Sequence, residues 1–369
     1  MQNLTVKFLT AAAILGFSIF LMHMKPVGSG ETGSGFRIDR PGPGDLFNND
    51  SVLCITLAGD MRSLLNDRSD GAQYHPLLLS YVDDDSGAVA IPLKAKTRGH
   101  FRRQAGNCTY PPLLLNFPKK QERPSIFSTQ VKLKLVCPCR GEQYVIREYL
   151  VYKIYNLLTP KSFRARLARV TLFDSIRKKQ SLFYGILLEE DEQMAKRNNP
   201  VLISGQQVRG ENTDTSSYLK MALFQYLIGN TDWSVPYFHN TRLIACDSLS
   251  VPSVVPYDFD HAGLVDAPYA QPAEELALAS VRERRFRGYC ITDMRAFEDV
   301  IDTFNLLKKD IYGLYINCPL IDSKYLTSTL RFFEEFYRTI NDPKKLKLAF
   351  SYPCNGDRSN VVIKGLKKE

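Results

Sequence analysis

Two short polar segments in the second half of the chain carry the residue types that phosphoryl transfer requires. The first, residues 229–240, closes a predicted helix and contains Asp232 and Asn240. The second follows a predicted strand and contains Asp258 and Asp260 in an Asp-Phe-Asp motif. Phosphoryl transfer needs one carboxylate that orients the acceptor hydroxyl, and an Asn and an Asp that hold Mg²⁺ against the phosphates. Because hard cations prefer oxygen ligands, the pattern predicts a magnesium-dependent site.

The same residues have a simpler interpretation. Asn and Asp are frequent in turns, where their side chains bond to nearby backbone groups. In that case Asp258 and Asp260 are turn residues, and Asp232 caps a loop. The order of the surrounding elements favours a site: a helix, a loop with Asp and Asn, a hairpin, and then Asp-Phe-Asp.

Other chemistries lack their motifs. The chain contains no Gly-Lys-Ser/Thr phosphate loop and no Gly-x-Ser-x-Gly nucleophile elbow. The two cysteines of Cys137-Pro138-Cys139 are too close for a zinc knuckle, and no second Cys or His pair complements them. The eight cysteines instead favour an exported protein with some disulfide bridges and some buried thiols.

The elements that must position the polar segments follow from hydrophobic periodicity. Strands are predicted over residues 51–57, 75–81, 88–97, 112–117, 130–136, 166–173, 181–188, 241–245 and 253–255. Helices are predicted over residues 144–158, 216–228, 294–309 and 324–340, with Thr215 or Ser216 as the cap of the second and Gly229 as its stop. This order predicts an α+β fold, with a β-rich N-lobe at 51–190, a helical C-lobe at 191–369 and a cleft between them.

The N-terminus has the layout of an export signal. Residues 1–25 combine a polar start, an apolar run over 8–22 and a following Lys-Pro. The run is short for a membrane span, which takes about 20 apolar residues, and an uncleaved N-terminal anchor is the alternative. Residues 26–50 are rich in Gly and Pro and predict a linker. We therefore expect a periplasmic or extracellular protein, or one held at the membrane through this segment alone.

The composition excludes several protein classes. With 44% hydrophobic and 24% charged residues among 369, the chain is neither largely disordered nor a polytopic membrane protein. Its net charge of +9 favours anionic partners such as nucleotides or acidic proteins. No uninterrupted Lys/Arg block is present, so we expect no nucleic-acid partner.

Five motifs, taken in order, resemble those of the spore-coat CotH kinase family. They are Arg-Gly-His-Phe-Arg-Arg (98–103), Arg-Glu-Tyr-Leu-Val-Tyr (147–152), Tyr-Gly-Ile-Leu-Leu-Glu-Glu (184–190), Gly-Asn-Thr-Asp-Trp (229–233) and Tyr-Asp-Phe-Asp (257–260). The resemblance covers residues 50–265. It implies an atypical protein-kinase-like fold with two lobes. It also implies transfer of the γ-phosphoryl group of ATP, with Mg²⁺ or Mn²⁺, to a Ser-type hydroxyl of an exported protein.

The resemblance also implies roles for individual residues. Asp232 resembles the catalytic-loop Asp, Asn240 a metal-binding Asn, and Asp258 the metal-binding Asp that opens the last motif. Asp260 is the second carboxylate of that motif, and the resemblance leaves open which of the two takes the main metal role.

The sequence departs from the family where a phosphate-binding Lys is expected, because residues 110–117 contain none. Lys134 or Lys132, on the next strand, is the candidate substitute, with Glu148 on the following helix as its ion-pair partner. The alternative is that both lysines form the solvent face of an amphipathic strand. His100 also replaces an Asn of the family motif.

Further charged groups have two interpretations each. The turn with Arg98, Arg102 and Arg103 could cover phosphates by bidentate contacts or be solvated. The four arginines within residues 282–287 could receive an acidic substrate or form a charged helix face. Residues 189–192 are acidic and are either a hinge between lobes or a plain turn.

Three functions are open at this point. The first is a CotH-like kinase that binds Mg·ATP and phosphorylates a protein. The second is a non-catalytic, pseudokinase-like envelope or surface protein that keeps the fold. The third is a kinase for a small molecule or a lipid head group. Binding of Mg·ATP separates the kinases from the second, and acceptor screening separates the two kinases.

Overall fold

A computed structural model of the chain describes residues 45–83, 87–120, 124–204, 207–247 and 249–354, all within one compact unit. The signal or anchor predicted at 1–25 lies outside the described residues, as does most of the linker predicted at 26–50.

Elements are numbered in chain order. The strands are β1 (Leu53–Gly59), β2 (His75–Asp83), β3 (Gly87–Thr97), β4 (Leu113–Asn116), β5 (Lys132–Val136), β6 (Ala165–Asp174), β7 (Lys179–Leu188), β8 (Val201–Ile203), β9 (Thr241–Ala245) and β10 (Ser253–Pro256). The helices are α1 (Met61–Asn66), α2 (Glu142–Leu158), α3 (Asp191–Arg197), α4 (Thr215–Ile228), α5 (Glu298–Leu306), α6 (Lys308–Ile316), α7 (Ser323–Ile340) and α8 (Pro343–Phe350).

The fold is mixed, with a β-rich region followed by a helical C-terminal part, as the sequence predicts. The first seven strands close into a barrel in the order β1, β2, β3, β4, β5, β7, β6. Neighbouring strands are antiparallel except for β1 and β6, which pair in parallel with Leu53 opposite Ala168. The sequence does not predict this closure, because alternation decides which face of a strand is buried and not which distant strand it pairs with.

Helix α2 lies between the barrel and the C-terminal helices. It contacts β6 and β7 on one side and α4 and α6 on the other. Ten of its 17 residues are buried, as expected for a helix that is enclosed on most sides. Glu148 is an exception among them, since this acidic side chain is 2% exposed in the middle of a mostly apolar helix.

The helix before the first polar segment, α4, has well-formed ends. Asp214 is its N-cap and accepts a hydrogen bond from the Ser217 N–H at 2.9 Å. The cap therefore precedes the predicted Thr215 or Ser216 by one or two positions, because the Asp carboxylate reaches the orphan N–H of the first turn. Gly229 ends the helix in the left-handed conformation (φ 67°), as predicted.

Two predicted segments differ in the structure. The helix predicted over 294–309 is interrupted at Leu307, which separates α5 from α6. The acidic residues 189–192 are not a plain turn, because Glu189 and Glu190 link β7 to α3 and Asp191 and Glu192 open that helix. Acidic side chains in the first turn of a helix are stabilised by its dipole.

Two disulfide bridges join Cys108 to Cys139 and Cys290 to Cys354. Cys54, Cys137, Cys246 and Cys318 are free, and Cys137 is buried. Within the part of the chain that is described, no helix is both long enough and apolar enough to cross a lipid bilayer.

Candidate functional site

One cleft, of about 330 Å³, collects the residues that the sequence singles out. Its lining includes Arg98, Lys134, Glu148, Asp232, Asn240, Asp258 and Asp260. They come from the turn after β3, from β5, from α2, from the loop after α4 and from the two ends of the β9–β10 hairpin. The fold thus gathers side chains that are far apart in the sequence around a single cavity.

The loop after α4 holds the Asp232 carboxylate from two sides. Its Oδ1 lies 2.9 Å from His239 Nε2, and its Oδ2 accepts a hydrogen bond from Asn240 Nδ2 at 3.1 Å. Asn230 accepts a hydrogen bond from the Asp232 N–H at 3.0 Å and donates one to the Gln225 side chain. The carboxylate is therefore fixed in orientation while its side chain stays 32% exposed.

Asn240 comes directly before β9 and Asp258 comes shortly after β10, so both flank the open end of the β9–β10 hairpin. Both have a left-handed backbone, with φ of 51° and 59°. Asn and Asp tolerate this conformation better than most residues, because their short polar side chains bond locally. The Tyr257 N–H donates to the Asn240 carbonyl at 3.0 Å, which brings the two turns together. The Asp258 N–H donates to the Tyr152 hydroxyl of α2 at 2.9 Å.

Arg102 is a buried cation among the carboxylates of the cleft. Its Nε donates to Asp260 Oδ2 at 2.7 Å, and its Nη2 donates to Glu148 Oε2 at 2.8 Å. The same Nη2 lies 3.8 Å from Asp258 Oδ1, and the Tyr269 hydroxyl donates to Asp260 Oδ2 at 3.1 Å. Arg102 is 8% exposed and lines the cleft, so it is not a solvated turn residue.

The three carboxylates around Arg102 differ in acidity. Burial raises the pKa of Glu148 to about 7; Arg102 opposes this, and Asp260 and Asp258 add to it. Burial and the adjacent Asp260 also raise the pKa of Asp258. Burial acts in the same direction on Asp260, but attraction to Arg102 and the hydrogen bonds outweigh it and lower the pKa of that group. Asp260 is therefore the carboxylate that Arg102 neutralises most effectively.

Lys134 has other partners than the predicted one. Its ammonium lies 2.5 Å from Asp191 Oδ1 and 3.6 Å from Glu190 Oε1, at the start of α3. Glu148 is paired with Arg102 instead. The predicted ion pair between Lys134 and Glu148 is thus wrong, because acidic residues next to α3 attract the Lys and an Arg from the turn after β3 reaches the Glu.

The other basic candidates, Lys132, Arg103 and Arg98, differ in how far their side chains are exposed. Lys132 is exposed, which agrees with the solvent-face alternative, and Arg103 pairs with Asp70 at the surface. Arg98 lines the cleft, partly buried, next to Gly99, which turns the chain with φ 85°. It forms no ion pair with any described residue and acts to lower the pKa of Asp258. Arg98 is therefore a cationic group that faces the cavity and lacks a carboxylate partner within the described residues.

Three of the four arginines within 282–287 bind backbone carbonyls, and the segment is not a helix. Arg287 is the clearest case, since its Nη1 donates to the carbonyls of Thr231 at 2.5 Å and Trp233 at 2.9 Å, on either side of Asp232. Burial lowers the pKa of Arg287 to about 10. The sequence does not predict this role, because the spacing of the arginines indicates charge but not which carbonyls they reach.

Two further arginines of this segment bind the neighbouring backbone. Arg284 donates to the Leu227 carbonyl at the end of α4 and to the Phe332 carbonyl of α7. Arg282 donates to the Gly263 carbonyl at 3.2 Å. These guanidinium groups are used inside the protein, which argues against a surface that receives an acidic substrate.

The two polar segments also touch each other through glycines. The Gly263 N–H donates to the Gly229 carbonyl at 3.1 Å. A Cβ on Gly263 would overlap the Val281 carbonyl oxygen, so this close approach of three backbone segments requires Gly.

Three side chains of the cleft have oxygens without a hydrogen-bond partner or exposed to solvent. The Asp258 side chain is 49% exposed. The Asn240 side-chain nitrogen donates hydrogen bonds to the Asp232 carbonyl at 2.8 Å and to Asp232 Oδ2 at 3.1 Å. The Asn240 side-chain oxygen has no hydrogen-bond partner among the described residues. Glu148 Oε1 is buried and likewise lacks a hydrogen-bond partner in the described structure. Carboxylate and amide oxygens are ligands suited to Mg²⁺, which usually keeps several waters and binds phosphates as well.

The described residues contain no group of three or more His, Cys, Asp or Glu side chains arranged to hold a metal ion. The sequence matches no protein-family model, and no curated protein is similar to it. The function is therefore inferred from the geometry of the cleft.

Proposed function

We propose that the protein is a phosphotransferase that moves the γ-phosphoryl group of ATP to a hydroxyl group, as the resemblance to CotH-like kinases implies. The observation that carries the proposal is the fixed Asp232 carboxylate in the same cleft as Asn240 and Asp258. Phosphoryl transfer depends mainly on positioning and electrostatic stabilisation, and these three side chains are held by hydrogen bonds or by a constrained backbone.

Each of these residues has a role in the proposal. Asp232 orients the acceptor hydroxyl, and its bonds to His239 and Asn240 keep the carboxylate aimed at one point. Asp258 and the Asn240 side-chain oxygen hold Mg²⁺, which when bound neutralises negative charge on the phosphates. Asp260 takes a positioning role instead of the main metal role, because Arg102 and Tyr269 already occupy its carboxylate.

The phosphate-binding cation of the proposal is Arg98 and not Lys134. Arg98 faces the cleft without an ion-pair partner among the described residues, whereas Lys134 is 4% exposed and bound to Asp191. An Arg binds phosphate through a planar fork of N–H donors, so Arg98 is chemically suited to the role that a Lys has in the family. The N-terminal segment would place the enzyme outside the cytoplasm, with a protein hydroxyl as its acceptor.

A second candidate is a non-catalytic protein that keeps the cleft as a nucleotide-binding site. The engagement of Lys134 by Glu190 and Asp191 favours it, since kinases use a Lys on a strand to hold the phosphates. Such a protein would bind Mg·ATP without transferring phosphate.

The test follows the labelled γ-phosphate of ATP into the full chain itself and into water, with Mg²⁺ and with Mn²⁺. We expect transfer by the wild type, a loss of at least about 100-fold in Asp232→Asn, and unchanged transfer in the control Asp247→Asn, which alters an exposed turn. Binding of ATP without any transfer would favour the second candidate. Equal transfer in Asp232→Asn would remove that residue from its role.

A further inference from the structure

Glu148 is the least explained charge in the cleft. It is 2% exposed, its Oε2 is bonded to Arg102, and its Oε1 is buried with no hydrogen-bond partner among the described residues. Leaving a charged oxygen buried and unpaired is costly unless something else binds it. Helix α2 could carry an apolar residue at this position at no such cost, so the unpaired Oε1 is a candidate position for a ligand.

The charge balance around Glu148 indicates the sign of that ligand. Glu148, Asp258 and Asp260 face a single guanidinium, that of Arg102. Arg98 also lines the cleft and acts on Asp258, so three carboxylates and two cations leave an excess of one negative charge when all are ionised. Lys134 does not correct the excess, because it is bound elsewhere.

Two of these carboxylates lie close to the same nitrogen of Arg102. Arg102 Nη2 lies 2.8 Å from Glu148 Oε2 and 3.8 Å from Asp258 Oδ1, so both carboxylates share one nitrogen. Arg102 Nε donates a hydrogen bond to Asp260, so that carboxylate is already paired and is not a candidate ligand. What remains is the buried Oε1 of Glu148 and the half-exposed carboxylate of Asp258, both lining the same cavity.

We propose that Glu148, together with Asp258, binds a divalent cation of the Mg²⁺ or Mn²⁺ class at the floor of the cleft, so that Glu148 is a metal ligand and not the partner of a phosphate-binding lysine. The proposal rests on the proposed function, which it deepens by adding a ligand from α2 to the metal site. One or two carboxylates together with several waters are usual ligands for such ions.

The test is Mn²⁺ binding to the full chain without nucleotide, measured by electron paramagnetic resonance of free Mn²⁺. We expect the wild type to bind Mn²⁺, and Glu148→Gln to bind it at least tenfold more weakly. Glu142→Gln is the matched control on the same helix, because Glu142 bonds Arg169 and the Tyr184 N–H and does not line the cleft. It is expected to bind like the wild type.

Other outcomes overturn the proposal. Equal Mn²⁺ binding by the wild type and Glu148→Gln, or no binding by the wild type, means that Glu148 is not a ligand. If Glu148→Gln does not fold, Glu148→Asp replaces it, since the shorter carboxylate keeps the charge but withdraws both oxygens from the cation. Because the assay contains no nucleotide, its failure is distinguishable from failure of the proposed phosphotransferase, whose readout is transfer of labelled phosphate.

Discussion

At the scale of single residues, the unusual feature is a buried Arg that holds together carboxylates from distant parts of the chain. Arg102 is separated from Glu148 by 46 positions and from Asp260 by 158, and both ion pairs are buried. A buried ion pair contributes little net stability when intact, because desolvation offsets the attraction, but removing one partner leaves an uncompensated charge. Arg102 therefore links the turn after β3 to α2 and to the Asp-Phe-Asp segment.

We predict that Arg102→Met lowers the free energy of unfolding by about 3–5 kcal/mol at neutral pH. The change would be measured by urea denaturation. Arg103→Met is the adjacent control, because its partner Asp70 is 97% exposed and surface pairs contribute little. Equal stability losses in the two variants would contradict the role given to Arg102.

A second prediction at this scale concerns pH. The pKa of Glu148 is raised from 4.5 to about 7 in the folded protein, first of all by burial. Between these values the unfolded chain releases a proton that the folded chain keeps, so the wild type loses stability as pH rises from 4.5 through 7. Glu148→Gln cannot titrate and should lack this loss, which is on the order of 3 kcal/mol.

Urea unfolding at pH 4.5 and 7.5, without added metal, measures both variants. The free energy of unfolding of Glu148→Gln minus that of the wild type should increase from pH 4.5 to pH 7.5. A constant difference would mean that Glu148 ionises normally in the folded protein.

At the scale of elements, the irregular segment that contains residues 282–287 supports the site from behind. Its Arg287 donates to the carbonyls of Thr231 and Trp233 and so holds the backbone on both sides of Asp232. Its Arg284 caps the end of α4, where the same loop begins. The loop is therefore positioned by an element that follows it in the chain and contributes no residue to the cleft lining described above.

We predict that Arg287→Met loosens this loop. Amide hydrogen exchange of residues 230–235 should become at least tenfold faster, because two buried carbonyls lose their donor. Arg295→Met is the control, since Arg295 bonds only Asp293, at the surface. Unchanged exchange in Arg287→Met would show that the loop is held by its own side chains alone.

At the scale of the whole molecule, sequence periodicity predicts most elements within a few residues, including all seven barrel strands and α2. Some of the polar candidates that the motifs single out do share the cleft, including Arg98, Lys134, Glu148, Asp232, Asn240, Asp258 and Asp260. Lys132, Arg103, the acidic residues 189–192 and the arginines within 282–287 do not line it. The sequence does not predict the pairing within the cleft. The resemblance suggests Lys134 as the phosphate-binding Lys with Glu148 as its ion-pair partner, whereas the structure pairs Lys134 with Asp191 and Glu148 with Arg102.

The reason is physical. Hydrophobic patterns are local and record which face of an element is buried. Ion pairs, barrel closure between β1 and β6, and contacts such as those of Arg287 depend on where distant segments meet, which no local pattern contains.

The central claim, a metal-dependent nucleotide site in the cleft, is tested most directly by calorimetric titration of ATP into the full chain. We predict that the wild type binds ATP with Mg²⁺ or Mn²⁺ and not without a divalent cation. Asp258→Asn should bind at least tenfold more weakly, because it loses the exposed carboxylate that faces the cation. Asp247→Asn, in an exposed turn, should bind normally. Failure of the wild type to bind ATP with either metal, or equal binding by Asp258→Asn, would contradict the claim.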